Sequence, residues 1–213
     1  MFFYNIAKVI VKGFIALFYP TKFYGKENMP PKSQNCIGIC NHLGKIDVAL
    51  CALPFKHKVY FLSKKELSEK KLFGGFLRSL GAIPVDREHV DINATKAVLK
   101  RIKEGKDIMI FPEGTRNRHY DEVRLLPLKD GAGVFAFKTQ TQVVPMAIHH
   151  PGRMFRKNYV YIGKPFTFEE FYGMKYTNEM GQQMNEKMRQ EMLKCMDALD
   201  EIVNLKKRGG KKK

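Results

Sequence analysis

Residues 41–47, NHLGKID, set His42 and Asp47 five positions apart, directly after the apolar run 35–40. A short apolar run with β-branched members reads as a strand, so His42 stands at a strand's carboxyl end, where parallel sheets hold their ligands. Asp47 then falls in the first turn of the following helix, within reach of the imidazole across a short loop. A carboxylate placed there orients the ring and stabilises the imidazolium that forms when the ring takes a proton. No serine nucleophile stands nearby, so the proton belongs to a substrate hydroxyl and His42 is a general base. The alternative is a loop histidine followed by an acid that favours a helix start; the pair alone does not separate the two.

Two further groups end strands in the same way. In FPEGTRNR, 111–118, Gly114 allows a sharp turn, Glu113 accepts from hydroxyls or orders a neighbour, and Arg116 carries a fork suited to phosphate. In GAIPVDR, 81–87, Arg87 emerges just after a short strand. A lone arginine after a strand is usually only solvated, but three such sites at three strand ends point to one site on a sheet edge.

The elements that must position these groups alternate along the chain. Strands are expected at 35–40, 58–63, 82–85, 107–113, 141–148 and 159–163, with a helix over 92–104 stopped by Gly105. A long helix over 178–205 carries Met184, Met188, Met192 and Met196 at spacings of a helical face, which reads as packing surface. The fold class is therefore α/β, with a mostly parallel central sheet flanked by helices. GxSxG, GxxxxGK[ST] and HExxH signals are missing from the sequence. The pattern at Gly131, Gly133 and Ala136 reads as a small-residue helix start. His149 and His150 alternate across a strand end and make a poor chelating pair, so no metal is expected.

Four blocks thus occur in order: NHLGKID, GAIPVDR, FPEGTR (111–116) and VVPMAI (143–148). Together they resemble the glycerolipid acyltransferases, the family typified by 1-acylglycerol-3-phosphate acyltransferase. The resemblance implies transfer of a fatty acyl group from an acyl thioester, on coenzyme A or acyl carrier protein, to the sn-2 hydroxyl of lysophosphatidic acid. The product would be phosphatidic acid for phospholipid synthesis; glycerol 3-phosphate or another lysolipid is the alternative acceptor. By this resemblance His42 and Asp47 are catalytic, and Glu113, Gly114, Thr115 and Arg116 line the acceptor site. Arg116 and Arg87 would bind its phosphate, and Pro145 belongs to a strand beneath. FLSKKEL, 61–67, resembles a basic segment between the first blocks, in which Lys64, or else Lys65, approaches the phosphate or the thioester oxyanion. Gly44 replaces a small hydroxyl residue common in the first block, so that residue's contact is missing. No cofactor is implied.

Composition fits such substrates. The 213 residues suit one domain, and 38 Lys plus Arg against 21 Asp plus Glu give a formal net charge of +17, which calls for an anionic partner. Each basic residue near an anionic membrane surface contributes about 1 kcal/mol. Nucleic acid is the different-class partner, but the aromatics do not interleave with arginine as stacking platforms, so no nucleic acid is expected. In the first twenty residues Asn5, Lys8 and Lys12 share one arc of a helical wheel, leaving Phe3, Ile6, Ile10, Phe14 and Leu17 around the rest. Lysine at a bilayer centre costs about 2.5–3.5 kcal/mol, so an amphipathic helix lying in the interface is favoured over a spanning one. The expected organisation is a membrane-associated helical segment (1–24), an acyltransferase domain (25–205) and a basic disordered tail (206–213), held at the cytoplasmic face of a cell membrane. No cleavable signal or targeting extension is recognisable, which leads to the expectation of a bacterial enzyme. The four cysteines form no CxxC pair and read as reduced thiols, three of them near the 35–40 strand.

Overall fold

The computed structural model describes residues 2–86 and 91–209. Among them, strands β1 (Thr21–Tyr24), β2 (Ile37–Cys40), β3 (Val59–Lys64), β4 (Ala82–Val85), β5 (Asp107–Ile110), β6 (Val143–Ile148) and β7 (Asn158–Ile162) build one sheet in the order β1-β7-β6-β2-β5-β3-β4. Neighbours pair in parallel except β6 and β7, which are antiparallel. The sheet is thus mostly parallel, as expected, with β1 and β7 running against the rest. The helices are α1 (Phe2–Phe18), α2 (Asp47–Ala52), α3 (Lys65–Glu69), α4 (Lys71–Ser79), α5 (Ile92–Lys103), α6 (Gly131–Thr139) and α7 (Asn178–Gly209).

Both faces of the central strands are covered, so β2, β5 and β6 are buried at every position. Alternation assigns their side chains. Cys40, Met109 and Met146 pack with Ile15 of α1, Leu50 of α2 and Phe55, while Ile37, Ile39 and Ile108 pack with Val98 of α5, Phe135 of α6 and Met184, Met188 and Met192 of α7. The methionine stripe is packing surface, as its spacing implied. Asp91 caps α5 by accepting from the Ala94 N–H at 2.8 Å, and Gly105 ends it with φ +70°. All four cysteines are free and buried, with Cys36, Cys40 and Cys51 grouped around β2.

Five strand expectations need correction at their ends: 35–40 pairs only from Ile37, and 58–63 is shifted by one residue to Val59–Lys64. The run 107–113 stops as a strand at Ile110, because Pro112 lacks an N–H and Gly114 takes φ +69° to turn the chain. The run 141–148 begins pairing only at Val143, and 159–163 pairs one residue earlier, over Asn158–Ile162. The sequence reading also missed β1, a four-residue edge strand whose partner β7 lies far along the chain.

Helix α1 packs on the domain along one arc. Ile15 is 1% exposed, Ala7 is buried, and Lys8 reaches back to donate to the Phe55 carbonyl at 3.4 Å. The outward face carries Ile6, Val9, Ile10, Phe14 and Leu17, all exposed. Core packing under Ile15 sets this rotation, and the lysine snorkels along the protein rather than away from it.

Candidate active site

His42 follows β2, and its Nδ1 lies 3.0 Å from Oδ2 of Asp47, the first residue of α2. The same oxygen accepts from the backbone N–H groups of Leu43 and Gly44, each at 2.6 Å. Asp47 is fully buried, so its charge is held by those three donors, while Oδ1 is buried without a hydrogen-bond partner. With Nδ1–H donating to a carboxylate, Nε2 is left as the acceptor nitrogen. The imidazole stacks on Phe111, with centroids 4.2 Å apart. The geometry is that of an oriented base with its reactive nitrogen uncommitted.

A second histidine–aspartate pair shows what distinguishes the first. His57 Nδ1 lies 3.2 Å from Asp107 Oδ2, but its Nε2 contacts the Lys32 carbonyl at 2.7 Å, so both ring nitrogens are engaged. Asp107 also accepts from the Cys36 N–H at 2.9 Å. Burial pushes the Asp107 carboxyl above its ordinary value. This pair clips strand starts together at the opposite end of the sheet.

Glu113 holds the His42 backbone from behind. Its Oε1 accepts from the His42 N–H at 2.7 Å and its Oε2 from the Leu126 N–H at 2.9 Å. Burial pushes its carboxyl above the ordinary value, against the lowering effect of those two N–H donors. Of the two roles open to it from sequence, this is the ordering of a neighbour. Asn117 completes the clamp by donating its N–H to the His42 carbonyl at 2.7 Å. Gly114 lets Lys129 lie across the turn, where a β-carbon would stand 2.7 Å from the Lys129 Cε. Thr115 and Arg116 are exposed on the loop that follows.

The remaining sequence candidates distribute along the sheet edge. Lys64 ends β3 and pairs with Glu66 at 3.0 Å, both well exposed; Lys65 is exposed at the start of α3. The strand order sets Lys64 on the β5 side of His42. Arg87 lies outside the described residues. Pro145 is buried in β6 and pairs with Ile39 of β2. His149 bonds Asp200 at 2.9 Å and His150 the Pro151 carbonyl at 2.8 Å, and among the described residues no cluster fit to hold a metal occurs.

Sequence reasoning missed Phe111, Asn117 and Asn41. Asn41 exchanges two hydrogen bonds with the backbone of Ile148, at 2.8 and 3.0 Å, tying the ends of β2 and β6 together. Its position beside His42 at a strand end was the available signal; nothing local marked the other two.

Comparison with known proteins agrees with this architecture. A family model described as "Acyltransferase" matches residues 20–149. The 1-acyl-sn-glycerol-3-phosphate acyltransferase of Bacillus subtilis is 31% identical over 205 residues, covering 93% of this chain and 100% of that protein. A protein of the same name from Borreliella burgdorferi is 34% identical over 139 residues, 64% of this chain and 54% of that one, so the chain spans about half of this second relative. The crystal structure of the 1-acyl-sn-glycerophosphate (LPA) acyltransferase from Thermotoga maritima superposes with a TM-score of 0.67 at 23% identity, over 94% of this chain and 79% of that one. At that identity the likeness concerns the fold.

Proposed function

The chain belongs to the acyltransferase family, and from that premise we propose that it moves a fatty acyl group from an acyl thioester to the sn-2 hydroxyl of 1-acylglycerol 3-phosphate. The observation that carries the reading is the His42–Asp47 pair at 3.0 Å inside the matched region, with Nε2 uncommitted. Nε2 takes the hydroxyl proton as the acceptor oxygen attacks the thioester carbonyl. The carbon–sulfur bond breaks, and the departing thiolate receives the proton from the imidazolium. The products are phosphatidic acid and a free thiol on coenzyme A or acyl carrier protein.

Glu113 and Asn117 act as positioning residues, and Gly114 forms the turn that brings Thr115 and Arg116 to the acceptor. Arg116, Arg87 and Lys64 are assigned to the acceptor phosphate, Lys64 exchanging Glu66 for it. The test is transfer of a radiolabelled acyl group from each donor to lysophosphatidic acid and, separately, to glycerol 3-phosphate. Labelled phosphatidic acid is expected with the first acceptor. Its absence with both donors would sink the reading.

The apolar outer face of α1 is assigned to the membrane interface at the cytoplasmic side. Among the described residues no helix is long and apolar enough to cross a membrane. Val9 and Leu17 are 70% and 67% exposed, so changing them leaves the core under Ile15 intact. Val9→Ser with Leu17→Ser is expected to reduce sedimentation with anionic vesicles at least tenfold, since each buried apolar side chain contributes about 1.5–3 kcal/mol. Undiminished sedimentation at wild-type thermal stability would remove α1 from the interface.

A further inference from the structure

The proposed reaction brings two anionic substrates to one base, and the residues assigned so far serve only the acceptor. On the other flank of β2, past β6, a cavity of about 720 Å³ opens along the same sheet edge. Asn41 and Leu43, the chain neighbours of His42, form part of its floor, Tyr120 one side, and the outer turns of α7 the far wall. Arg153, Arg156 and Lys157, on the loop between β6 and β7, rim it.

The cations around this cavity are not equivalent. Arg124 is bonded to Asp197 at 2.7 Å and Asp200 at 3.0 Å, and His149 also reaches Asp200. The Arg124 charge is thus spent, and Asp121 adds a further carboxylate to the lining. Arg153, Arg156 and Lys157 are exposed, and among the described residues no carboxylate pairs with them. The uncommitted positive charge is therefore concentrated on one loop.

The groove continues outward. Lys157 and Tyr159 also line a second cavity of about 440 Å³, together with Lys22 and Lys206. The ammonium groups of Lys22 and Lys206 converge on the Tyr24 ring, 5.5 and 4.5 Å from its centroid. Desolvation, and then the nearby Lys22, hold the Lys206 ammonium below the usual lysine range. Two like charges held over one ring repel each other, and an anion between them would relieve the repulsion.

The groove adjoins the imidazole at the carboxyl edge of the sheet, since Leu43, Tyr120 and Ile148 of its lining pack in the same cluster as Phe111. His42 stacks on Phe111, which packs in the cluster on the α1 and α2 side, whereas α7 covers the opposite face. The 150–153 segment forms a rim against the β2–α2 loop, pressed so closely that a β-carbon on Gly152 would collide with Ile46. A lipid chain suits the apolar side of this rim, and a hydrophilic, phosphorylated carrier suits the other.

We propose that the basic groove holds the phosphorylated pantetheine arm of the acyl donor, with its phosphate against Arg153, Arg156 and Lys157 and its thioester carried over the rim to His42. When the donor is coenzyme A, the nucleotide phosphates extend to Lys22 and Lys206. The assignment rests on the acyl-thioester chemistry proposed above.

Two charge-reversal pairs in the full chain test it: Arg156→Glu with Lys157→Glu, and Lys22→Glu with Lys206→Glu. All four side chains are exposed, and an unchanged thermal midpoint confirms folding. Coenzyme A affinity is read by calorimetry. KM is read separately for palmitoyl-coenzyme A, palmitoyl acyl carrier protein and lysophosphatidic acid. The first pair is expected to raise KM for both donors at least tenfold and to weaken coenzyme A equally, with KM for lysophosphatidic acid within twofold. The second pair is expected to weaken coenzyme A; an unchanged affinity would overturn the nucleotide part of the assignment. Unchanged donor KM and coenzyme A affinity in the first pair would overturn the whole, and a loss confined to sedimentation with phosphatidylglycerol vesicles would reassign the groove to lipid headgroups. Wild-type turnover with unaltered donor KM fails the groove alone. A wild type that transfers nothing from any donor fails the acyltransferase reading, while calorimetry still decides whether the groove binds coenzyme A.

Discussion

Replacing His42 with alanine is expected to lower acyl transfer to lysophosphatidic acid by about 10²- to 10⁴-fold, the range a positioned general base contributes. The loss should fall on kcat, because the imidazole acts on the hydroxyl proton in the transition state and makes no contact assigned to the acceptor phosphate. The fold should survive the change. The backbone groups of His42 are held by Glu113 and Asn117 whatever side chain the residue carries, and the imidazole is a partly exposed cap on Phe111 rather than a core element. Vesicle binding is expected to be unaltered, since α1 is not in the change. Transfer within about threefold of wild type would show that another group takes the proton.

Asp47→Asn is expected to lower kcat by about 10²-fold or more, with KM for lysophosphatidic acid little changed. The amide is nearly the same size, and its oxygen still accepts from Leu43 and Gly44, which sit 2.6 Å from the carboxylate oxygen in the wild type. The loop therefore keeps its shape. The negative charge beside Nδ1 is lost, and with it both the preference for a free Nε2 and the stabilisation of the imidazolium. A purely structural aspartate would show a fall in thermal stability without a catalytic effect of this size. Nitrogen-15 spectra of histidine-labelled protein separate the cases directly. The wild type is expected to show His42 protonated on Nδ1, and the variant a mixture of tautomers. A single unchanged tautomer in the variant would remove the orienting role from Asp47.

Much of this site could be read along the chain because its parts are local. His42 and Asp47 are joined by one short loop, so residue type and spacing sufficed to place the carboxylate beside the imidazole. The reading was less complete for Glu113. Sequence left it between a hydroxyl acceptor and an ordering group, and only the folded chain shows both its oxygens occupied by backbone N–H groups from two distant segments. His57 and Asp107 make the converse point, since nothing in sequence announced a pair 50 residues apart in the chain. Strand β1 escaped notice for a similar reason: three half-buried residues and the exposed Lys22 carry little periodic signal, and their hydrogen bonds are completed by β7.

The sequence by itself determined the alternation of strands and helices, the placing of three polar blocks at strand carboxyl ends, the pairing of His42 with Asp47, and the excess of positive charge. These follow from periodicity, turn chemistry and composition, which act over a few residues at a time. Tertiary structure alone decided the strand order that seats β2 between β5 and β6, and so gives His42 one flank toward Lys64 and another toward Arg153, Arg156 and Lys157. It also decided which arc of α1 faces outward, because the burial of Ile15 against the sheet outweighs the polarity of Lys8, whose stem can bend to a backbone carbonyl. Both are outcomes of long-range packing, in which the partner surface is assembled from segments far apart in the chain.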